Sequence, residues 1–254
     1  MKTIALAGKG GTGKTTLAAL LIRALLRAGA TPVLAIDADP ATNLHLALGL
    51  QMPVTVGDVR EEMLQAAQAH QLGVAISRHD YLRQEVRLAL EEGEAVDLLA
   101  MGRPEGQGCY CAVNHLLRQV VDELGRSYAY VVIDNEAGME HISRRTTQDV
   151  DLLLVVSDPT VRGLKTAAGI GQLAKDVEVN VKNTLLVINR VQGALPEALQ
   201  QAVHESALPL ASLIPADDQV NQLDALGQPL IWLDGESAAG RAIDALAERI
   251  LSTI

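Results

Sequence analysis

The sequence predicts an α/β protein with a doubly wound, mainly parallel β-sheet. Short apolar runs typical of buried strands alternate with helix-like runs along almost the whole chain, and this alternation favours parallel strands joined by helices. A glycine-rich loop separates the first apolar run from the first helix-like run. Because no internal repeat, low-complexity tract or linker interrupts the pattern, we predict one domain spanning residues 1–254.

Periodicity and flanking residues place the individual elements. We expect strands at residues 4–7, 31–36, 96–101, 129–133, 152–157, 184–188 and 210–214. We expect helices at residues 16–21, 43–50, 57–70, 79–91, 113–124, 162–175 and 237–251, and a polar loop at 103–108. The region 51–95 carries the weakest pattern.

Composition narrows the functional classes. The net charge is −10, with 21 Lys and Arg against 31 Asp and Glu. This negative charge argues against binding to nucleic acid irrespective of its base sequence, and against binding to an anionic membrane. Hydrophobic residues make up 48% of the chain, and Phe is absent, so aliphatic side chains must fill the core. The chain starts directly with a strand and contains two cysteines. We therefore expect a cytoplasmic protein with no secretory signal and no disulfide framework.

The glycine-rich loop at residues 8–15 has the sequence GKGGTGKT. The pattern G-x-x-x-x-G-K-[ST] between a strand and a helix predicts a P-loop, whose backbone N–H groups and helix N-terminus bind phosphates. Lys14 is expected to reach the β- and γ-phosphates, and the Thr15 hydroxyl to bind Mg²⁺. The predicted nucleotide contacts are Gly8, Gly10, Gly11, Thr12, Gly13, Lys14, Thr15 and Thr16.

Lys9 follows the first glycine, where a general P-loop needs no lysine. A solvated loop residue is one interpretation. The form GKGGTGKT, however, resembles the deviant P-loop of the MinD/ParA and nitrogenase iron-protein ATPases. This resemblance implies a P-loop NTPase fold of that type, binding of ATP or ADP, and a role for Lys9 at the nucleotide of the partner subunit in a homodimer.

Acidic residues follow two of the predicted strands, where ligands bind in parallel sheets. Asp134 ends a hydrophobic strand, as in a Walker B motif, and is expected to hold Mg²⁺ directly or through water. Taken alone, Asp39 fits a helix-capping role equally well, but together with the P-loop it resembles the switch I aspartate that positions the attacking water. Asn43 matches the family position that approaches Mg²⁺, and Gly138 a switch II glycine that offers its N–H to the γ-phosphate.

Later strand ends carry candidates for base recognition. Asn189 follows one strand, and Pro215 and Asp217 follow the next. An asparagine amide has the donor and acceptor that adenine requires, and these positions match the adenine pocket of the family. The segment 158–160 and Arg162 are further candidates for nucleotide or dimer contacts.

The two cysteines form a Cys-x-Cys motif, Cys109 and Cys111, after a polar, turn-rich segment. A disulfide between such close neighbours would be strained, whereas thiolates suit a soft metal. Two sulfurs leave a tetrahedral site incomplete. A second copy of the loop across a two-fold axis would supply four thiolates, and His115 or His141 are alternative ligands.

Residues 101–111 and 134–138, together with the P-loop, resemble the CooC-type accessory ATPases, which mature the nickel site of carbon monoxide dehydrogenase and of acetyl-CoA synthase. The resemblance covers nearly the whole chain. It implies ATP-dependent nickel insertion by a homodimer that binds Zn²⁺ or Ni²⁺ through Cys109 and Cys111 at its interface. The implied partner is a nickel enzyme, with no nucleic acid and no membrane.

Four alternatives remain open at this point. One is a non-enzymatic metal-binding module, which the complete nucleotide site argues against. An iron-protein-like ATPase could bridge a [4Fe–4S] cluster with four thiolates, although that family draws its cysteines from two distant loops. A ParA-type ATPase needs a basic DNA-binding surface, which the composition argues against. A MinD-type ATPase needs a basic amphipathic C-terminal helix, whereas the helix predicted at residues 237–251 carries Asp244 and Glu248 beside Arg241 and Arg249.

Overall fold

The strands of the protein form one parallel sheet. The computed structural model describes residues 1–68, 77–102, 111–137, 149–176 and 180–254, apart from some side chains near the ends of these ranges. Within them, seven strands pair in the order β3-β2-β4-β1-β5-β6-β7, and every pair is parallel. The strands are β1 (Lys2–Gly8), β2 (Val33–Ala38), β3 (Val96–Ala100), β4 (Tyr130–Asn135), β5 (Asp149–Ser157), β6 (Asn180–Val191) and β7 (Leu210–Pro215). The predicted fold class is confirmed, and each strand overlaps a predicted one.

Helices connect and cover the strands. They are α1 (Lys14–Arg27), α2 (Leu44–Leu48), α3 (Val56–Gln68), α4 (Arg78–Leu88), α5 (Cys111–Gly125), α6 (Val161–Asp176), α7 (Glu197–Glu205), α8 (Asp218–Ala225) and α9 (Ala238–Thr253). The sequence pattern did not predict α7 and α8. These helices have nine and eight residues, and of them Ala202 alone is buried, so both are shorter than the stretch of about 11 residues over which helical periodicity is read.

The core lies in two layers, one on each face of the sheet. Along β1, Ile4 and Leu6 face the layer formed with α1, α2 and α9, whereas Ala5 and Ala7 face the layer formed with α3 to α7. Successive strand residues point to opposite faces, and both faces of this strand are buried. Continuous apolar runs are therefore what this doubly covered sheet requires.

Neighbouring strands bring the candidate residues to one edge of the sheet. In the register of β1, Leu6 lies beside Asp134 of β4, and Gly8 beside Val156 of β5. Asp37 of β2 pairs with Asp134 in the same way. The carboxyl ends of β1, β2, β4 and β5 thus converge where the P-loop leaves the sheet, which is where parallel sheets bind ligands.

None of the helices in the described ranges is both long enough and apolar enough to cross a membrane.

Candidate functional site

The P-loop lies between the end of β1 and the start of α1. Gly8 is close to β5, because a Cβ atom at this position would lie 2.3 Å from the Val156 carbonyl oxygen. Gly11 and Gly13 have φ angles of 80° and 84°, a left-handed backbone that glycine adopts without strain. Lys14 is the first residue of α1 and is buried. The loop therefore has the tight turn that phosphate binding requires, and the N-terminus of α1 carries no side-chain cap.

Two carboxylates lie under the P-loop in the sheet. Asp37 and Asp134 are each 1% exposed. Burial raises the pKa of Asp37 to about 6, although the backbone N–H groups of Leu44 and Asp39 oppose the shift. Burial also raises the pKa of Asp134 to about 7, against the opposing hydrogen bond from Thr15. Each negative charge is costly here without a cation.

The residues around Asp134 fit a magnesium ion. Thr15 Oγ1 donates a 2.6 Å hydrogen bond to Asp134 Oδ2, whereas Asp134 Oδ1 is buried and has no hydrogen-bond partner among the described residues. An unsatisfied buried carboxylate oxygen beside a hydroxyl is an oxygen donor set of the kind that Mg²⁺ prefers. Thr15 and Asp134, predicted from their separate motifs, are thus brought together.

Asp37 was not among the predicted site residues, although its acidic side chain within an apolar strand was a detectable signal. Its Oδ1 accepts a 3.0 Å hydrogen bond from the Asp39 N–H, and its Oδ2 a 2.9 Å hydrogen bond from the Leu44 N–H. Asp37 therefore holds both ends of the segment that carries Asp39 and Asn43. It orders the predicted switch I from inside the sheet.

The predicted switch I residues themselves are accessible. Asp39 is half-buried and its Oδ1 accepts a 2.9 Å hydrogen bond from the Ala41 N–H. Asn43 is exposed and precedes α2 without capping it through its side chain. Both side chains remain available to a bound nucleotide, and their assigned roles stay predictions.

The outer side of the P-loop faces solvent and the start of switch II. Lys9 and Gly10 are exposed, and a Cβ atom at Gly10 would lie 3.8 Å from the Ala137 Cβ. Ala137 is the last described residue before Gly138, which lies outside the described residues. An exposed lysine is free to reach another subunit, as the predicted role of Lys9 requires.

A pocket beside α1 contains the residues predicted to recognise the base. Its lining includes Thr16, Asn189, Arg190, Pro215, Asp217 and Asp224. Asn189 is buried; its Nδ2 donates a 2.9 Å hydrogen bond to the Thr12 carbonyl, and its Oδ1 accepts one from the Arg190 N–H. One hydrogen and one lone pair of the amide remain for a base.

Asp217 lies in the same pocket, and its carboxylate has a structural role. As the N-cap of α8 it accepts a 2.9 Å hydrogen bond from the Gln219 N–H, and its other oxygen accepts one from the Ala239 N–H at 3.0 Å. Burial opposes ionisation, but these hydrogen bonds prevail and lower the pKa of Asp217. Its predicted contact with the nucleotide would use the lone pairs that remain.

Most of the predicted thiolate site lies outside the described part of the chain. Cys109 and His141 lie outside the described residues, and the side chains of Cys111 and His115 are also outside them, although Cys111 begins α5. Among the side chains that are described, no three His, Cys, Asp or Glu residues cluster as a metal site.

Residues 158–163, between the end of β5 and the first turn of α6, form hydrogen bonds with one another. The Thr160 hydroxyl donates a 2.5 Å hydrogen bond to Asp158 Oδ1 and accepts one from the Gly163 N–H. This arrangement begins α6 and leaves Arg162 exposed.

The chain is similar to nucleotide-binding proteins along nearly its whole length. The CobQ/CobB/MinD/ParA nucleotide binding domain matches residues 3–230. An uncharacterised ATP-binding protein of Methanocaldococcus jannaschii is 41% identical, over 98% of both chains. The carbon monoxide dehydrogenase accessory protein CooC of Rhodospirillum rubrum is 33% identical, over 85% of this chain and 86% of that protein. The cell division ATPase MinD of Pyrococcus furiosus has a TM-score of 0.70 at 26% identity, covering 100% of this chain and 99% of the other.

The matched region contains the P-loop, both buried carboxylates and the predicted switch I. Together with the seven-stranded parallel sheet, it shows that the chain is an ATPase that belongs to the CobQ/CobB/MinD/ParA family.

Proposed function

We propose that this ATPase assists nickel insertion into carbon monoxide dehydrogenase or acetyl-CoA synthase, and that nucleotide and metal both favour its homodimer. The observation that carries the proposal is the Cys109-x-Cys111 motif of the sequence, whose second cysteine begins α5. A cysteine pair with this spacing has no part in ATP hydrolysis. Its two thiolates suit a soft metal, and metal binding is a function separate from that of the nucleotide site.

The position of α5 supports this assignment. This helix connects β3 to β4, which run parallel in the sheet, so its first residue lies toward the carboxyl edge, on the side of the P-loop. The Met101 N–H donates a 2.8 Å hydrogen bond to the Asp37 carbonyl. The segment that leads to the cysteines therefore starts beside switch I.

The similarity to the carbon monoxide dehydrogenase accessory protein of Rhodospirillum rubrum also supports the proposal. That protein is named as an accessory of carbon monoxide dehydrogenase, and the match covers 85% of this chain and 86% of that protein. The resemblance to this branch of the family depends on the Cys-x-Cys segment.

In the proposed reaction, the described residues bind and orient ATP. The P-loop N–H groups and Lys14 hold the phosphates, while Thr15, Asp134 and Asn43 would hold Mg²⁺. When bound, Mg²⁺ neutralises charge on the phosphates and supports the leaving group. Asp39 would orient the attacking water, and Lys9 would approach the partner subunit's nucleotide. We expect the intrinsic hydrolysis of ATP to be slow.

Metal stoichiometry tests the proposal. Protein purified without oxygen should bind one Zn²⁺ or Ni²⁺ per dimer, because four thiolates complete one tetrahedral shell. Metal should promote the dimer even without nucleotide. Cys109→Ser and Cys111→Ser should each lose the metal yet keep ATP binding, since the P-loop is built separately. One tightly held metal per strictly monomeric chain would contradict a shared site and favour His115 or His141 as the completing ligand.

The same preparations distinguish the nickel proposal from the other functional classes. A brown, paramagnetic protein would identify an iron–sulfur cluster and an electron-transfer ATPase. A protein that binds no metal in either nucleotide state would contradict the nickel proposal and leave a positioning ATPase. Delivery itself is tested by adding the nickel-loaded protein and ATP to a metal-free client and measuring nickel transfer against the two Cys→Ser variants.

The packing of α9 weighs against a membrane-associated role of the MinD type. Ile243, Leu246 and Ile250 on this helix are fully buried among residues of α1 and the sheet. Arg23 Nη1 of α1 forms a 3.1 Å ion pair with Asp244 of α9. The apolar face of α9 is thus occupied within the fold and is not free to enter a lipid surface.

A further inference from the structure

The end of β6 has an irregular backbone beside the P-loop. The pairing of β6 with β7 shifts register between Ile188 and Val191, which is a bulge. Within it, Arg190 has a φ angle of 59°, a left-handed conformation that is uncommon for a residue with a side chain. Bulges redirect side chains and are frequent next to active sites, and a residue held in an unfavourable conformation calls for a functional explanation.

This bulge directs two consecutive side chains onto the P-loop. Arg190 Nη1 donates a 3.2 Å hydrogen bond to the Gly11 carbonyl, and Asn189 Nδ2 donates one of 2.9 Å to the Thr12 carbonyl. The two residues are themselves linked, because the Arg190 N–H donates to Asn189 Oδ1 at 3.0 Å. A Cβ atom at Gly13 would lie 2.5 Å from Asn189 Nδ2, so the amide packs directly against the loop.

These contacts bear on phosphate binding through the orientation of peptide groups. The N–H and the carbonyl oxygen of a peptide point in opposite directions, so a loop that directs N–H groups at an anion must direct carbonyls away from it. The Gly13 carbonyl already accepts from the Leu17 N–H at 2.9 Å, inside α1. The Gly11 and Thr12 carbonyls lie before the helix and obtain their donors from β6.

We propose that Arg190 is a positioning residue for the P-loop: its guanidinium holds the Gly11 carbonyl outward, which fixes the turn in which the Thr12 N–H donates to the Lys9 carbonyl at 3.4 Å and keeps the N–H groups after Thr12 directed at the β-phosphate. Asn189 performs the same task at Thr12. The left-handed backbone of Arg190 is the conformational cost of placing both side chains on one loop. The proposal concerns the ATPase activity alone and is independent of nickel.

The test separates phosphate binding from folding and from base binding. Arg190→Ala should raise the Kd of ADP roughly five- to tenfold, in line with the loss of one charge-assisted hydrogen bond at an exposed site. The Kd of adenosine, which lacks phosphates, should rise much less than the Kd of ADP: Arg190 also lines the pocket predicted for the base, but its guanidinium donates to the Gly11 carbonyl of the P-loop. Arg190→Lys retains one donor and should fall between wild type and Arg190→Ala. In ATP hydrolysis, KM should rise while kcat changes little.

Arg190→Gly removes the guanidinium and also relieves the left-handed backbone. It should therefore lose as much ADP affinity as Arg190→Ala without lowering Tm. Arg249→Ala is the matched control, because Arg249 donates to the Leu210 and Ala211 carbonyls at the start of β7 and has no contact with the P-loop. It should leave the Kd of ADP unchanged. Wild-type ADP affinity in Arg190→Gly, or an equal loss for adenosine and ADP in Arg190→Ala, would overturn the proposal.

Discussion

Thr15 Oγ1 donates a 2.6 Å hydrogen bond to Asp134 Oδ2 and so ties the first turn of α1 to the end of β4. Asp134 is buried beside Asp37 on the neighbouring strand, and its other oxygen has no partner among the described residues. The pKa of Asp134 is raised to about 7, first by burial. A divalent cation held between Thr15 and Asp134 would offset this buried negative charge.

The first prediction removes the hydroxyl of this pair. Thr15→Ala should lower Mg²⁺-dependent ATP hydrolysis about 10- to 100-fold, the usual effect of losing one group that orients a metal. Binding of ADP without Mg²⁺ should change far less, because the phosphates are held by the backbone. Thr15→Ser keeps the hydroxyl and serves as the control. Calorimetric titration of ADP with and without Mg²⁺ measures the two affinities. If Mg²⁺ increases the ADP affinity of Thr15→Ala as much as that of the wild type, the prediction is wrong.

The second prediction concerns the water-positioning role assigned to Asp39. Asp39→Ala should bind ATP with near wild-type affinity but accumulate as an ATP-bound form, because the change removes orientation of the water and not contacts to the phosphates. Single-turnover hydrolysis measures this directly. Hydrolysis at the wild-type rate would refute the assignment and leave Asp39 as a turn residue bonded to Ala41.

The variant Asp37→Asn is the comparison for Asp39→Ala. Asp37→Asn should disturb the segment that carries Asp39, since Asp37 accepts the N–H groups of both Asp39 and Leu44. We therefore expect Asp37→Asn to lower both ATP binding and Tm. Asp39→Ala should lower neither.

The third prediction concerns Lys9, which is exposed on the P-loop. If Lys9 reaches the partner subunit's nucleotide, Lys9→Ala should bind ATP as a monomer and lose hydrolysis, whereas Lys14→Ala should lose nucleotide binding itself. Sedimentation with ATP distinguishes these results. A dimer of Lys9→Ala as tight as that of the wild type would return Lys9 to the role of a solvated loop residue.

Much of the sheet was predictable from sequence, because a doubly covered parallel sheet needs continuous apolar strands and these stand out. The contact between Thr15 and Asp134 was also foreseeable in outline, since each belongs to a motif with a defined position. By contrast, α7 and α8 are too short for their apolar spacing to stand out in the sequence, although Leu199 and Val203 of α7 and Val220 and Leu223 of α8 pack against the core.

Two residues of the site were missed for a different reason. Asp37 acts by accepting N–H groups of the segment that follows it, and Arg190 acts through a bulge and a left-handed backbone. Neither effect leaves a spacing pattern in the sequence, because the Asp37 contacts depend on how residues 39–44 fold back over the end of β2, and the Arg190 contact on how the end of β6 lies against the P-loop. The acidic residue inside the apolar strand β2 was the only signal for Asp37, and nothing marked Arg190.

The last prediction concerns the ion pair that joins α9 to the helix of the P-loop. The Arg23 side chain is 3% exposed; its Nε donates a 3.0 Å hydrogen bond to the Leu233 carbonyl and its Nη1 pairs with Asp244 at 3.1 Å. Asp244→Ala would leave this buried guanidinium without its counter-ion. Because Asp244 is 29% exposed, we expect a loss of about 1–3 kcal/mol in the free energy of unfolding, below the cost of breaking a fully buried pair.

Glu248→Ala is the matched control, since it removes an exposed carboxylate from the same helix and should change the free energy of unfolding by no more than about 0.5 kcal/mol. Replacing both partners, Arg23→Met with Asp244→Leu, should recover much of the loss, because no unpaired charge then remains in the interface. Urea unfolding of the four proteins measures these differences. Equal effects of Asp244→Ala and Glu248→Ala would mean that the ion pair adds nothing and that apolar contacts alone hold α9 on α1.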